Sequence, residues 1–168
     1  MELIIMRHGI AIDREEFLKK NIEEHLRPLT VKGRKKIQKI AYELLDMIDE
    51  IDLVVTSPLL RAKQTADILA QMFYDTQLVE IPELSPNSQP ELMLKWLRMQ
   101  ARHKKRILIV GHEPHLSILI SFLVTGQKQS FIQLKKGGFA VLKVEDFARV
   151  QAGQCQLLAL ATPKMILN

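Results

Sequence analysis

Leu3-Ile4-Ile5-Met6-Arg7-His8-Gly9 decides how the rest of the chain is read. Four consecutive apolar residues read as a strand buried on both faces, as in a parallel sheet. The run stops at a guanidinium, an imidazole and a glycine. In an open α/β sheet, ligands bind at the carboxyl ends of the strands. An imidazole there can serve as a nucleophile or a proton carrier. The arginine beside it offers a planar fork of donors that suits phosphate. Gly9 permits close backbone approach to a ligand, or a positive φ. Taken alone, the triplet reads as an ordinary strand terminus with a hydrogen-bonded histidine, so its meaning depends on its company.

Working outward, Ile107-Leu108-Ile109-Val110 is a second continuous apolar run, ending at Gly111-His112, and Leu53-Val54-Val55 ends at Thr56-Ser57-Pro58. Gln77 to Ile81, Phe139 to Val144 and Leu157 to Ala161 read as further strands. Thr30 is placed to cap a helix whose stripe is Ile37, Ile40, Ala41, Leu44, Leu45 and Ile48, at three- and four-residue steps. A helix is expected from about Leu59 to Phe73. Another begins at the capping-box pair Ser88 and Glu91 and carries Leu92, Trp96 and Leu97. A third starts near Pro114 and stops at Gly126. Gly9 to about Pro28 reads as a polar connection with a short helix near Glu15 to Glu24. Strands alternating with helices predict a three-layer α/β/α sandwich with a mostly parallel central sheet, as one domain over residues 1–168.

Polar clusters sit at or near four strand ends. Thr56 and Ser57 fall where a strand gives way to a helix, whose amides attract anions; Arg61, about one turn on, could reach back, though capping by Ser57 and a surface arginine explain the same residues. His112 stands just before another helix N-terminus, which favours a neutral imidazole and an anion beside it. Glu83, in a loop after a strand, is a candidate general acid and substrate contact, although a loop glutamate is more often a solvated surface residue. His112-Glu113-Pro114-His115 is one position short of the H-E-x-x-H zinc pattern and has a proline inside it, so no metal is expected, and His115 is placed at the surface or just behind the pocket. No dinucleotide fingerprint or Walker A pattern occurs, so no cofactor is expected. Lys135-Lys136-Gly137-Gly138 reads as a turn. Parallel strands would bring these clusters to one edge, where two histidines and their arginines suit phosphoryl chemistry.

The 168 residues are 47% hydrophobic and 26% charged, with a net charge of +5. That balance is ordinary for a globular protein; the net positive charge suits anionic substrates or acidic partners, or is simply a modestly basic surface with no message. The Arg102–Arg106 basic run follows a helix, where cations complement the dipole, and no aromatics interleave with it; no nucleic-acid partner is expected. Leu116 to Val124, the longest apolar stretch, is too short to span a membrane. Cys155 is the single cysteine, and no basic-then-apolar leader opens the chain. A cytoplasmic location is the default expectation.

Arg7-His8-Gly9, then Thr56-Ser57-Pro58 with Arg61 and Gln64-Thr65-Ala66, then Gly111-His112, resemble the histidine phosphatase superfamily, which includes phosphoglycerate mutase-like enzymes. Leu29-Thr30, Gly33, Gly111-His112-Glu113-Pro114 and Lys136-Gly137-Gly138-Phe139 make the chain similar to the SixA group of protein phosphohistidine phosphatases, from residue 1 to about 162. The resemblance implies a phosphoglycerate mutase-like fold and a metal-independent phosphatase. It implies that His8 is a nucleophile that becomes phosphorylated, that Arg7 and Arg61 hold the phosphoryl oxygens, and that His112 is the second histidine of the pocket. Gly9, Ser57 and Glu83 are the expected substrate contacts.

The departure from the superfamily pattern concerns the acid. Many members carry, on an insertion, a carboxylate that protonates an alcohol leaving group; here Ala66 to Gly111 is short and Glu83 is the one obvious candidate. An imidazole leaving group relaxes that need, and a chain without long insertions suits a shallow pocket open to a side chain on another protein. The expected substrate is therefore phosphohistidine on a partner protein such as a phosphotransfer domain. The rivals are a small-molecule phosphomonoesterase or mutase, and a protein that binds phosphohistidine without turning it over.

Overall fold

β1 (Glu2–Arg7) pairs in parallel with β4 (Arg106–Gly111), and β4 pairs in parallel with β2 (Leu53–Thr56). The structure, a computed structural model, describes residues 1–74 and 76–167. β3 (Leu78–Glu80) extends the parallel set beyond β2, while β5 (Phe139–Lys143) and β6 (Gln156–Ala161) add antiparallel on the far side, giving the order β3-β2-β4-β1-β5-β6. The sheet is mostly parallel, as expected. Register aligns the strand ends: Arg7 pairs with Gly111, and Thr56 with both Val110 and Glu80. The residues that follow, His8, His112, Ser57 and Ile81, therefore leave the sheet at one edge.

Side chains alternate between the faces of a strand, and two cores result. Leu3, Ile5, Leu53, Val55, Ile107 and Ile109 face α4 (Pro90–Gln100) and α5 (His115–Thr125). Ile4, Met6, Val54, Leu108 and Val110 face α2 (Val31–Met47) and α3 (Leu60–Met72). That is the three-layer sandwich. α1 (Arg14–Leu18) and α6 (Pro163–Ile166) are short additions; Ile166 packs on the α2–α3 side. Among the described residues no helix is long and apolar enough to cross a membrane.

Thr30 caps α2 as expected, its Oγ1 accepting from Gly33 N at 2.9 Å, and Gly126, at φ 77°, ends α5. Three expectations are corrected. Ser88 and Glu91 form no capping box: Gln89 is the N-cap without a side-chain bond, and Pro90, with its preset φ, opens α4. The buried stripe is Met93, Leu94 and Leu97, and Leu92 is exposed. Between Gly9 and Pro28 only α1 and a 3-10 turn at Glu24–Leu26 are helical; Asp13 starts α1 by accepting from Glu15 N and Glu16 N.

Gly33 fixes where α2 lies against the segment after His8. A Cβ there would stand 2.1 Å from the Ile10 carbonyl oxygen, which already accepts from Thr30 N at 2.9 Å. The obstacle is backbone, so no side chain can rotate away. Gly33→Ala is expected to destabilise the protein by about 3 kcal/mol, at the upper end for overpacking, read as a lowered denaturation midpoint. An unchanged midpoint would show that α2 can move without cost.

Candidate functional site

His8 follows β1 and is 5% exposed. Its Nδ1 lies 2.7 Å from the Gly9 carbonyl, which can only accept, so the ring proton sits on Nδ1. Nε2 then carries the lone pair, and Arg61 Nε–H donates to it at 3.3 Å. Burial, opposed by the Gly9 bond and joined by the charges of Arg61 and Arg7, pushes the imidazole down to about 3. His8 is therefore a neutral base with its lone pair at Nε2, beneath a guanidinium.

Arg61, one residue into α3 and itself buried, is held from two sides. Glu24 Oε2 accepts from its Nη1 at 3.3 Å, and Glu24 Oε1 also engages the Arg27 guanidinium at 2.9 Å. Thr65, one turn along α3, donates from Oγ1 to the Arg61 carbonyl at 2.8 Å and accepts from Gly9 N at 3.0 Å. Helix α3 and the loop after β1 are thus tied together beside His8. Both backbone groups of Gly9 are used inside the protein, and its missing Cβ makes room for Ile37 of α2, 2.7 Å away from where that Cβ would lie.

Arg7 donates from Nη1 to the Leu134 carbonyl at 2.8 Å, and its Nε is buried without a partner. Glu113 braces the same region: its carboxylate accepts from Ser117 Oγ and, at 3.0 Å, from Leu134 N. Burial lowers the Arg7 guanidinium and the charge of Glu113 offsets that in part. His112 closes the site from β4. Its Nε2 lies 2.8 Å from Ser57 Oγ, and its ring centroid is 5.0 Å from that of His8. Burial, then the neighbouring His8 and Arg61, push it down to about 2. Where Ser57 donates its hydroxyl proton to Nε2, the His112 proton sits on Nδ1, a buried group with no protein partner. Such an N–H is a donor available to a phosphoryl oxygen.

Arg7 and His8 open on a cleft of about 360 Å³ whose walls also include Arg14, Arg27 and Lys136, while Arg61, Ser57 and His112 are buried and are not among its walls. Glu83 lies at the same sheet edge, in the 3-10 turn Pro82–Leu84 after β3, with Oε2 buried and unpartnered; like Arg61, Ser57 and His112 it is not a wall of the cleft. Among the described residues no three His, Cys, Asp or Glu side chains converge as a metal site requires. So the structure brings Arg7, His8, Arg61, His112 and Ser57 together, with Gly9 as a backbone tie. The sequence reading missed Glu24, Arg27, Thr65, Glu113 and Lys136. Thr65 and Glu113 lay inside motifs already singled out, whereas Glu24 and Arg27 lie in a connection with no periodicity to place them.

His115, expected at the surface or behind the pocket, is 1% exposed, and neither ring nitrogen has a partner. Packing of α5 onto the sheet buries it, and burial holds it down at about 4. With His8 and His112 it favours the neutral form on folding, while unfolded histidines take up protons near their ordinary value of about 6.5. Proton uptake is therefore greater in the unfolded state from about pH 6.5 downward, so stability is full above that range and falls as pH drops toward the folded values. His115→Leu removes one such group and one unpartnered buried imidazole. It is expected to raise the melting temperature and flatten its decline between neutral and acid pH; an equally steep decline would contradict this.

The family model described as "Histidine phosphatase superfamily (branch 1)" matches residues 3–85. An uncharacterized protein of Picosynechococcus sp. is 36% identical over 169 residues, covering 99% of each chain. Phosphohistidine phosphatase SixA of Escherichia coli is 29% identical over 130 residues, 76% of each. Among solved structures, that of the protein histidine phosphatase SixA complexed with tungstate superposes with a TM-score of 0.80 over 98% of both chains, at 24% identity.

Proposed function

The chain belongs to branch 1 of the histidine phosphatase superfamily, and from that premise we propose that it removes phosphate from histidine on a partner protein, through a phosphorylated His8. The observation that carries the reading is the state of His8: a neutral ring, its proton fixed on the Gly9 carbonyl and its lone pair held beside the Arg61 guanidinium.

The chemistry runs in two displacements. His8 Nε2 attacks phosphorus, and the bond from phosphorus to the substrate imidazole breaks. The leaving ring departs neutral when its second nitrogen already carries a proton. Water then attacks phospho-His8, releasing inorganic phosphate and restoring the Nε2 lone pair. Phosphoryl transfer asks the protein mainly for alignment and for charge on the equatorial oxygens. Arg61 and Arg7 supply that charge, and His112 Nδ1–H adds a neutral donor.

Two considerations favour a protein substrate over a small ester. An alkoxide leaves poorly without an acid, for which Glu83 is the one candidate, whereas a protonated imidazole needs none. The cleft is an open surface feature, which suits a side chain borne on another protein. Loss of phosphate from such a partner would lower flux through a phosphorelay. Turnover of a histidine-phosphorylated phosphotransfer domain should exceed that of a panel of phosphate monoesters in kcat/KM. A clear preference for esters would support the phosphomonoesterase reading instead, and binding without release of phosphate would support the non-catalytic one.

A further inference from the structure

α2 carries its charge where a helix tolerates it least. Lys32, Arg34, Lys35, Lys36 and Lys39 crowd its N-terminal half, and no acidic residue precedes Glu43. The N-terminus of a helix bears partial positive charge, so cations there are unfavourable. Lys32, Lys35, Lys36 and Lys39 also fall at three- and four-residue steps, where like charges repel. Among the described residues none of the four lies within salt-bridge reach of a carboxylate. The core contacts of α2 use its other face, through Gly33, Ile37, Ile40, Ala41 and Leu44. Folding therefore gives no reason for the lysines.

The same four lysines line an open groove with Val31 and Leu167. Val31 is 71% exposed, and Met165, close by in sequence on α6, is 67% exposed. The groove starts near the catalytic cleft. Val31, at its edge, follows Thr30, whose N donates to the Ile10 carbonyl at 2.9 Å, and the next residue after Ile10, Ala11, is a wall of the cleft.

We propose that this face of α2, with Val31 and Leu167, is the docking surface for an acidic region of the phosphorylated protein substrate; the proposal rests on the reading that the substrate is a protein. Lysines around exposed aliphatic side chains match an acidic protein surface with an apolar centre. Nucleic acid is less well matched, because no aromatic plane lines the groove for stacking. A membrane is less well matched because the apolar stripe of α2 is already buried in the core and cannot enter a bilayer. Charge complementarity of this kind acts chiefly on the rate of encounter and gives it salt dependence.

The test replaces all four lysines, as K32E/K35E/K36E/K39E. Glutamate at a helix N-terminus is favourable, so the variant should melt no lower than the wild type. Two substrates are compared: free N-phosphohistidine, and an acidic phosphotransfer domain phosphorylated on histidine. The expected result is unchanged turnover of free N-phosphohistidine, with kcat/KM for the phosphoprotein reduced ~10-fold or more at low salt. Added salt should slow the wild type toward the variant. Equal kcat/KM on the phosphoprotein overturns the docking surface while leaving the activity standing. So does equal loss on both substrates, or lysine-dependent binding of duplex DNA or anionic vesicles with phosphoprotein turnover independent of the lysines. If the wild type leaves the phosphoprotein untouched, the reading of the substrate fails and the docking surface fails with it.

Discussion

His8→Ala is expected to reduce turnover by at least ~10⁴-fold, the order seen when a nucleophile is removed from a site whose other parts remain. The protein should still fold. The substitution loses two hydrogen bonds, from Nδ1 to the Gly9 carbonyl and from Arg61 Nε to Nε2, each worth about 1 kcal/mol. The tie from Gly9 N to Thr65 Oγ1 does not involve the side chain and should persist. Arg7, Arg61 and His112 stay in place, so the variant should still bind inorganic phosphate or a similar anion. The check is a single-turnover assay with thermal unfolding and phosphate inhibition measured on the same preparation. Residual activity within tenfold of wild type, in a folded variant, would remove His8 from the mechanism.

Arg61→Ala should be the next most damaging change, with kcat/KM down by about 10²–10³-fold, the scale for losing one donor to transition-state charge. Arg61 is the residue where the site's two functions meet: Nε addresses His8, and Nη1 is anchored by Glu24. Removal leaves Arg7 as the one guanidinium for the phosphoryl group and leaves Glu24 held by Arg27 alone. Arg61→Lys is informative because an ammonium keeps the charge but lacks the planar set of donors; it cannot address His8 and Glu24 together in the same way. It should recover less than a tenth of the lost activity. Full recovery with lysine would mean that charge alone, not geometry, is what Arg61 contributes.

The strands that carry the site were legible because they are buried on both faces, which writes them into the sequence as unbroken apolar runs: Leu3 to Met6, Leu53 to Val55 and Ile107 to Val110. Once those runs are parallel, the residues after them must share an edge, and register does bring Arg7 level with Gly111 and Thr56 level with Val110. The same logic says nothing about Glu24 and Arg27. They lie in a connection with no apolar period, and their role appears only when the 3-10 turn at Glu24–Leu26 folds over α3. Nor does it place His115, whose burial is set by how α5 seats on the sheet, or the stripe of α4, where Pro90 rather than Ser88 sets the start and shifts which residues face inward. Nor does it announce that the space of the absent Gly9 Cβ is filled by Ile37.

The central claim is that phosphate passes through His8. Mixing the wild-type protein with a histidine-phosphorylated phosphotransfer domain, quenching in base within one turnover, and mapping phosphate by mass spectrometry tests it most directly. The account predicts a transient, acid-labile phosphate on the His8 imidazole that forms before inorganic phosphate appears and decays as it accumulates. Release of inorganic phosphate at the full rate with no phosphate on His8 at any time would contradict it.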